Sequence, residues 1–299
     1  MPAGNGPASV AVDTRGRFAY VANLGSDDVT TFSINPATGA LTEVGTEVAA
    51  GSGPVSVAVD SSSRFAYVAN LGSDDVTTFS INPATGALTE VGTEVAAGDG
   101  PLSVAVDPSG RFVYVANFSS NDVTTFSINA TMGALTEVGT EVAAGGAPFS
   151  VTVAPSGRFA YVANQASDDV TTFSINLTTG AIAEVGTEVA AGNEPRSVAV
   201  DSTSRFAYVA NSNSGDVTTF SVNSTTGVLI EVGTEVVVSP SPFSMTVEPS
   251  GRFAYVTDLI NHNVRTLSIN PTTGALNVVG TGVTAGIFPA SIVTVGVLE

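Results

Sequence analysis

His262 is the one histidine in this 299-residue chain, and histidine is the side chain whose ordinary pKa lies nearest neutrality. It stands in the segment "TDLINHNVRTL", flanked by Asp258 and Arg265. A carboxylate, an imidazole and a guanidinium so grouped could protonate a leaving group and hold an oxyanion. Asp258 and His262 are separated by a loop, and Arg265 opens a strand. Spacing therefore leaves their convergence open, and an incidental structural role competes with the catalytic one.

A second candidate is Arg196, next to Glu194 and matched by Phe149 and Phe243 at the same position of the flanking repeats. A guanidinium between apolar walls is suited to a small anionic or sugar ligand. The competing reading is a solvated arginine paired with Glu194. A third candidate is the recurrent acidic pair, Asp27/Asp28, Asp74/Asp75 and Asp168/Asp169. A set of such loops could attract Ca²⁺ loosely through oxygen ligands. Adjacent residues of an extended chain point opposite ways, so one pair does not chelate. The simpler expectation is that each Asp closes its turn on backbone N–H groups, with no cofactor bound.

Other chemistries are absent. There is no cysteine, hence no disulfide and no thiolate nucleophile or ligand. No nucleophile elbow, phosphate-cradling glycine loop or metal-binding histidine pair occurs. The net charge is −18, and all nine basic residues are arginine. That balance repels phosphate backbones and argues against nucleic-acid binding. No apolar run approaches the ~20 residues of a membrane span, so membrane insertion is not expected. The N-terminal residues do not have the pattern of an export signal.

The elements that must position these residues follow from repetition. Pro7, Pro54, Pro101, Pro148, Pro195, Pro242 and Pro289 recur every 47 residues, and so do all six tyrosines, from Tyr20 to Tyr255. The repeats run over 6–52, 53–99, 100–146, 147–193, 194–240 and 241–287, with a terminal segment at 288–299, in a single domain. Each repeat contains four β-type runs, as in "SVAVD", "RFAYVAN", "DVTTFSI" and "ALTEVGTEV". These alternate with period two and are broken by turn clusters such as "NLGSD" and "NPATG". In the second run Phe18, Tyr20 and Ala22 share one face and Ala19 and Val21 the other. In the third, Thr30, Phe32 and Ile34 oppose Val29, Thr31 and Ser33. Such a sheet is stable only between like neighbours. The chain is therefore expected to be an all-β propeller of six four-stranded blades, the alternative being an incomplete seven-bladed ring.

The motif "GPxSVAVDxxGRFAYVAN…DVTTFSIN…TGALTEVGT" resembles the YVTN-type repeat shared by lactonase-like propellers and surface-layer proteins. The resemblance covers essentially the whole chain. It implies a propeller and, for activity, a family that includes 6-phosphogluconolactonase-like and muconate-lactonizing enzymes alongside surface proteins without known chemistry. Lactonase-like members usually have seven blades. No His/Arg/Glu motif of those enzymes matches here position by position, so the resemblance assigns no catalytic residue.

"PASIVTVGVLE" at the C-terminus is a surplus copy of the innermost strand, and the last outer strand lacks the glutamates equivalent to Glu43 and Glu47. Asn277 and Gly282 are read as standing in their places. An uncharged edge near a surplus apolar strand suggests covering, by the tail itself or by a neighbouring subunit. Pro289, Ile292, Val293, Val295, Asn277 and Gly282 are thus the self-association candidates. With near-identical blades, no lysine and an acidic surface, the sequence reads first as a non-enzymatic extracellular or cell-envelope scaffold. The alternatives are a lactonase-like hydrolase with its site at the channel mouth, or a binding module for an anionic or sugar ligand.

Overall fold

Alternation of large and small side chains on the two faces of each repeat sets how neighbouring sheets meet. The computed structural model describes residues 3–295, which fall into two compact units, 3–141 with 295, and 142–294. Each unit contains three antiparallel sheets. Together they are the six four-stranded blades of an all-β propeller.

In blade 1 the strands are β1 (Pro7–Val12), β2 (Phe18–Asn23), β3 (Asp28–Ile34), β4 (Leu41–Glu43) and β5 (Val48–Ala49). They lie in the order β1-β2-β3-β4, and β5 also pairs with β3. The sequence-expected fourth strand is thus interrupted. Its two pieces, β4 and β5, pair with opposite ends of β3, and Gly45 in the turn between them has φ 71°. Blade 6 differs, with one continuous outer strand, Leu276–Thr284. Strand register corrects one equivalence. Ser33 faces Thr42 and Ser268 faces Asn277, so Asn277 replaces Thr42, and Val278 replaces Glu43.

The core lies between blades. Phe18, Tyr20, Ala22 and Val29 of blade 1 pack against Ala66, Val68, Phe79 and Ile81 of blade 2. The two sets come from opposite faces of the same pattern, so bulky residues on one sheet meet small ones on the next. The same cluster recurs between blades 2 and 3, 4 and 5, and 5 and 6. Each large side chain so buried contributes roughly 1.5–3 kcal/mol. The tyrosines also reach across, Tyr67 Oη donating to Gly133 O at 3.1 Å and Tyr161 Oη to Gly227 O at 2.9 Å. Desolvation raises these phenols well above their ordinary pKa.

Two polar devices fix the blade ends. At one end, Asp13 Oδ1 accepts the N–H groups of Arg17 (2.5 Å) and Phe18 (3.0 Å), closing the β1–β2 turn. At the other, Asn23 Nδ2 donates to Asp28 Oδ1 (2.7 Å) and Thr30 Oγ1 (2.8 Å), closing the β2–β3 loop.

The terminal segment is not a strand over 289–295. It lies along the innermost strand of blade 6, Pro242–Val247. Ile292 N donates to Ser244 Oγ (3.3 Å) and Thr294 Oγ1 to Val247 O (3.3 Å). Adjacent blades make the first of these bonds too, Met245 N to Ser197 Oγ at 3.0 Å and Val57 N to Ser9 Oγ at 3.3 Å. The tail therefore takes the place of a following innermost strand. Its described residues do not pair with the outer strand of blade 6, where Val278, Val279 and Val283 are exposed.

Candidate functional site

Every described innermost strand starts with a bulge, and the residue after the repeat proline lies within it. In blade 5, Pro195 pairs with Asn211 and Ser197 with Ala210, leaving Arg196 as the extra residue. A bulge re-aims the side chain it carries. The Arg196 guanidinium carbon lies 5.2 Å from the ring centres of both Phe149 and Phe243. The two rings meet edge to face, 5.6 Å apart. Cation–π contact of this kind is worth roughly 0.5–2 kcal/mol per ring, more as water is excluded.

Glu194 completes the group. Its Oε2 accepts from Arg196 Nη2 at 3.1 Å and from Gln165 Nε2 at 3.3 Å. Its backbone is left-handed, φ 53°, and its N–H is held by Asp168 Oδ1 at 2.8 Å. The Arg196 side chain is 23% exposed and that of Glu194 40%. Arg196 Nε is buried without a hydrogen-bond partner among the described residues. The arrangement offers unused N–H donors beside two aromatic walls and a carboxylate with one oxygen, Oε1, unengaged by the described residues. It can polarise a carbonyl oxygen, and it can accept a proton from water beside it. Gln165 was not among the sequence candidates. It stands where the other blades have Leu24, Leu71, Phe118, Ser212 and Leu259, and that column holds the signal.

The His262 group does not assemble. His262 Nδ1 accepts the Phe288 N–H at 3.2 Å, and its ring meets Phe288 edge to face at 4.9 Å. Asp258, fully buried, accepts from Ile260 N and Asn261 N (both 3.1 Å) and from Asn261 Nδ2 (2.7 Å). Arg265 Nε donates to Val238 O at 2.8 Å. The three side chains serve three different places, because each replaces a repeat residue with its own structural partner. Asp258 closes its own loop, and His262 holds the chain entering the tail.

The acidic pairs are also engaged in holding the chain. Asp27 Oδ1 accepts Gly53 N–H (2.7 Å) and Asp74 Oδ1 accepts Gly100 N–H (2.8 Å), as Asp168 does for Glu194. The second residue of each pair, Asp28, Asp75 or Asp169, accepts from the loop asparagine. No group of three or more His, Asp or Glu spaced to hold a metal ion occurs among the described residues.

The lactonase family, described as a 7-bladed β-propeller, matches residues 1–102, 55–153 and 148–247. The chain belongs to the lactonase family. No curated protein matches it. Among solved structures it is similar to a Bacteroides uniformis protein provisionally described as a 6-phosphogluconolactonase, with a TM-score of 0.86 and 18% identity. That match covers 97% of this chain and 89% of the other. It is also similar to the periplasmic gluconolactonase of Pseudomonas aeruginosa (TM-score 0.80, 20% identity, 94% and 86% covered). The hydrazine synthase of Kuenenia stuttgartiensis shares the fold as well (TM-score 0.74, 18% identity, 97% and 90% covered). Family membership overturns the expectation of a non-enzymatic scaffold. That expectation took near-identity of the blades as evidence against a catalytic group, yet the departures in blades 4 to 6 bring Arg196, Glu194, Phe149 and Phe243 together.

Proposed function

We propose that the chain is a lactonase-like hydrolase and that Arg196 is the centre of its site. The observation that carries this reading is a guanidinium packed against both Phe149 and Phe243, with a carboxylate fixed 3.1 Å away. Family membership supplies the reaction class, and the YVTN-like motif marks a variant of that propeller. Glu194 already offsets the charge of Arg196, and the chain is strongly acidic. A neutral sugar lactone therefore suits the site better than a phosphorylated one.

The step needs little machinery, since a lactone is an activated ester. The carbonyl oxygen lies against the free N–H groups of Arg196, with the sugar ring over the phenyl faces. Glu194 takes a proton from a water molecule as its oxygen bonds to the carbonyl carbon. The ring C–O bond then breaks, and the departing alkoxide recovers the proton from Glu194. The product is an open-chain hydroxy acid, which releases the second water proton to solvent and leaves as the hydroxycarboxylate.

Hydrolysis of glucono-δ-lactone, followed by proton release and corrected for the spontaneous rate, tests the assignment. Arg196→Leu, which restores the type of residue found at Leu102, is expected to lower kcat/KM by roughly 10²–10³. Wild-type protein no faster than buffer across sugar lactones, or an Arg196→Leu variant as fast as wild type, would overturn it.

A further inference from the structure

The repeats act as internal controls, because a departure confined to one interface stands against several unaltered copies. Blades 1 to 4 end in a glycine, Gly51, Gly98, Gly145 or Gly192, facing the next β2–β3 loop. The N–H groups of Gly51, Gly98 and Gly145 donate to a threonine, such as Thr77 Oγ1 at 3.1 Å from Gly51 N. A Cβ on Gly51 would meet Asn70 Nδ2 at 2.6 Å and Asp75 Oδ1 at 2.7 Å. Where blade 5 passes into blade 6, every member of that set is changed. Ser239 stands for the glycine, Asp258 and Asn263 for the Asn/Asp pair, and Arg265 for the threonine.

These changes depend on one another. Arg265 Nε reverses the old polarity by donating to Val238 O. Val238 N keeps the repeat bond, donating to Gly215 O at 3.0 Å as Ala50 N does to Asp27 O, and Ser239 N now shares that acceptor at 3.2 Å. Gly215, φ 77°, stands where Asp27 stands in blade 1, and a Cβ there would meet Ser239 O at 2.6 Å. The result is an open cleft of about 440 Å³ lined by Asn213, Ser214, Val237, Ser239, Pro240 and Arg265.

Two groups in this cleft have hydrogen-bonding capacity unused among the described residues. Ser239 is 7% exposed, and its buried Oγ makes no hydrogen bond. Arg265, partly buried, uses only Nε and has no acidic group in ion-pair range. The nearby Asp216 is occupied, its Oδ1 accepting from Asn211 Nδ2 (2.8 Å) and Ser214 Oγ (3.1 Å). Arg196 by contrast is neutralised by Glu194. An uncompensated fork of N–H donors, a hydroxyl and an amide beside the apolar Val237 and Pro240 select a particular ligand. It is small, carries a single carboxylate, and bears hydroxyls.

We infer that the Arg265–Ser239 cleft is a binding site for small hydroxycarboxylates, separate in its residues from the Arg196 site. The carboxylate pairs with the free edge of the Arg265 guanidinium, and Ser239 Oγ and Asn213 take up hydroxyls. The inference does not depend on the Arg196 assignment, because it concerns binding and not turnover.

Calorimetric titration with sodium gluconate at low ionic strength tests it, with sorbitol as the polyol lacking a carboxylate. Wild type is expected to bind gluconate saturably and sorbitol not at all. Arg265→Thr restores the residue of the other blades and is expected to weaken gluconate roughly tenfold or more. Ser239→Gly, which restores the residue of blades 1 to 4, is expected to weaken it less. Arg196→Leu retains the binding event that Arg265→Thr removes, which separates this site from the proposed lactonase centre and from any product binding there. The inference is overturned if wild type does not bind gluconate, if sorbitol binds equally well, or if gluconate affinity falls with Arg196→Leu and survives both Arg265→Thr and Ser239→Gly. If Arg265→Thr does not fold, Ser239→Gly and Arg265→Gln decide the same question.

Discussion

The N–H of Phe288 donates to His262 Nδ1, and the two residues are related as Gly53 is to Asp27. The repeat offset is the same, and so is the left-handed backbone at both ends: φ is 53° and 54° in the last blade, 56° and 67° in the first. His262 is thus an acceptor in place of an aspartate, holding the chain where one repeat passes into the next. His262→Ala should leave lactone turnover unaltered and cost about 1 kcal/mol, the usual worth of one such bond. His262→Asp should recover that loss. Urea unfolding and kcat/KM measured on the same preparations decide it. A turnover defect in His262→Asp with stability intact would return the imidazole to the chemistry.

Gly133 illustrates how closely neighbouring blades approach. Its φ is 78°, and a Cβ there would meet Phe65 Cδ1 at 2.3 Å. Gly92, φ 72°, has nothing within 4 Å. Both positions carry the backbone strain of a left-handed residue, about 1–2 kcal/mol for alanine. Only Gly133 adds overpacking, typically ~1–3 kcal/mol more. Gly133→Ala should therefore unfold at distinctly lower urea than Gly92→Ala. Equal midpoints would show that Phe65 can move aside.

Much of this architecture is readable from spacing. Proline and tyrosine at a constant interval, with period-two runs between them, define the blade, and the two faces of Phe18–Asn23 and Asp28–Ile34 predict which residues meet. Arg196 was visible because it breaks a column of apolar residues. Ser239 was not, since exchange of glycine for serine in a turn resembles loop variation. Its meaning depends on Arg265 and Gly215, distant in sequence. The His262 role was equally hidden, because its partner lies in the tail and the matching Asp27–Gly53 bond is a property of the folded chain. The two-piece outer strand is a property of the folded chain, whereas the constant 47-residue interval already places Asn277 at the position of Thr42 and not of Glu43.

Blade 4 lacks a device that the others share. Asp107 Oδ1 accepts the N–H groups of Arg111 and Phe112, both at 2.7 Å, and Ala154 occupies the equivalent position in blade 4. Bonds to a charged acceptor are worth about 1.5–3 kcal/mol each. Asp107→Ala should therefore destabilise blade 3 by a few kcal/mol, whereas Ala154→Asp should stabilise blade 4. Hydrogen exchange at Phe112 and Phe159 amides reads the two blades separately. Faster exchange at Phe159 in Ala154→Asp would show that blade 4 has settled on a turn that no longer admits the carboxylate.

The lactonase reading divides the work between Glu194 and Gln165, and kinetics can separate them. If Glu194 moves the proton, Glu194→Gln keeps the shape and the hydrogen bond to Arg196 but removes the base. It should lower kcat by roughly 10²–10⁴, with KM little changed. The Gln165 side chain donates to Glu194 Oε2, at 3.3 Å, and so acts by positioning. Gln165→Leu, the residue type of blades 1 and 2, should cost only a few-fold in kcat, and Gln165→Glu more, because a second carboxylate would repel the first. Full activity in Glu194→Gln would show that Arg196 alone carries the rate, with water attacking unassisted. A loss in Gln165→Leu as large as in Glu194→Gln would place the amide itself against the substrate.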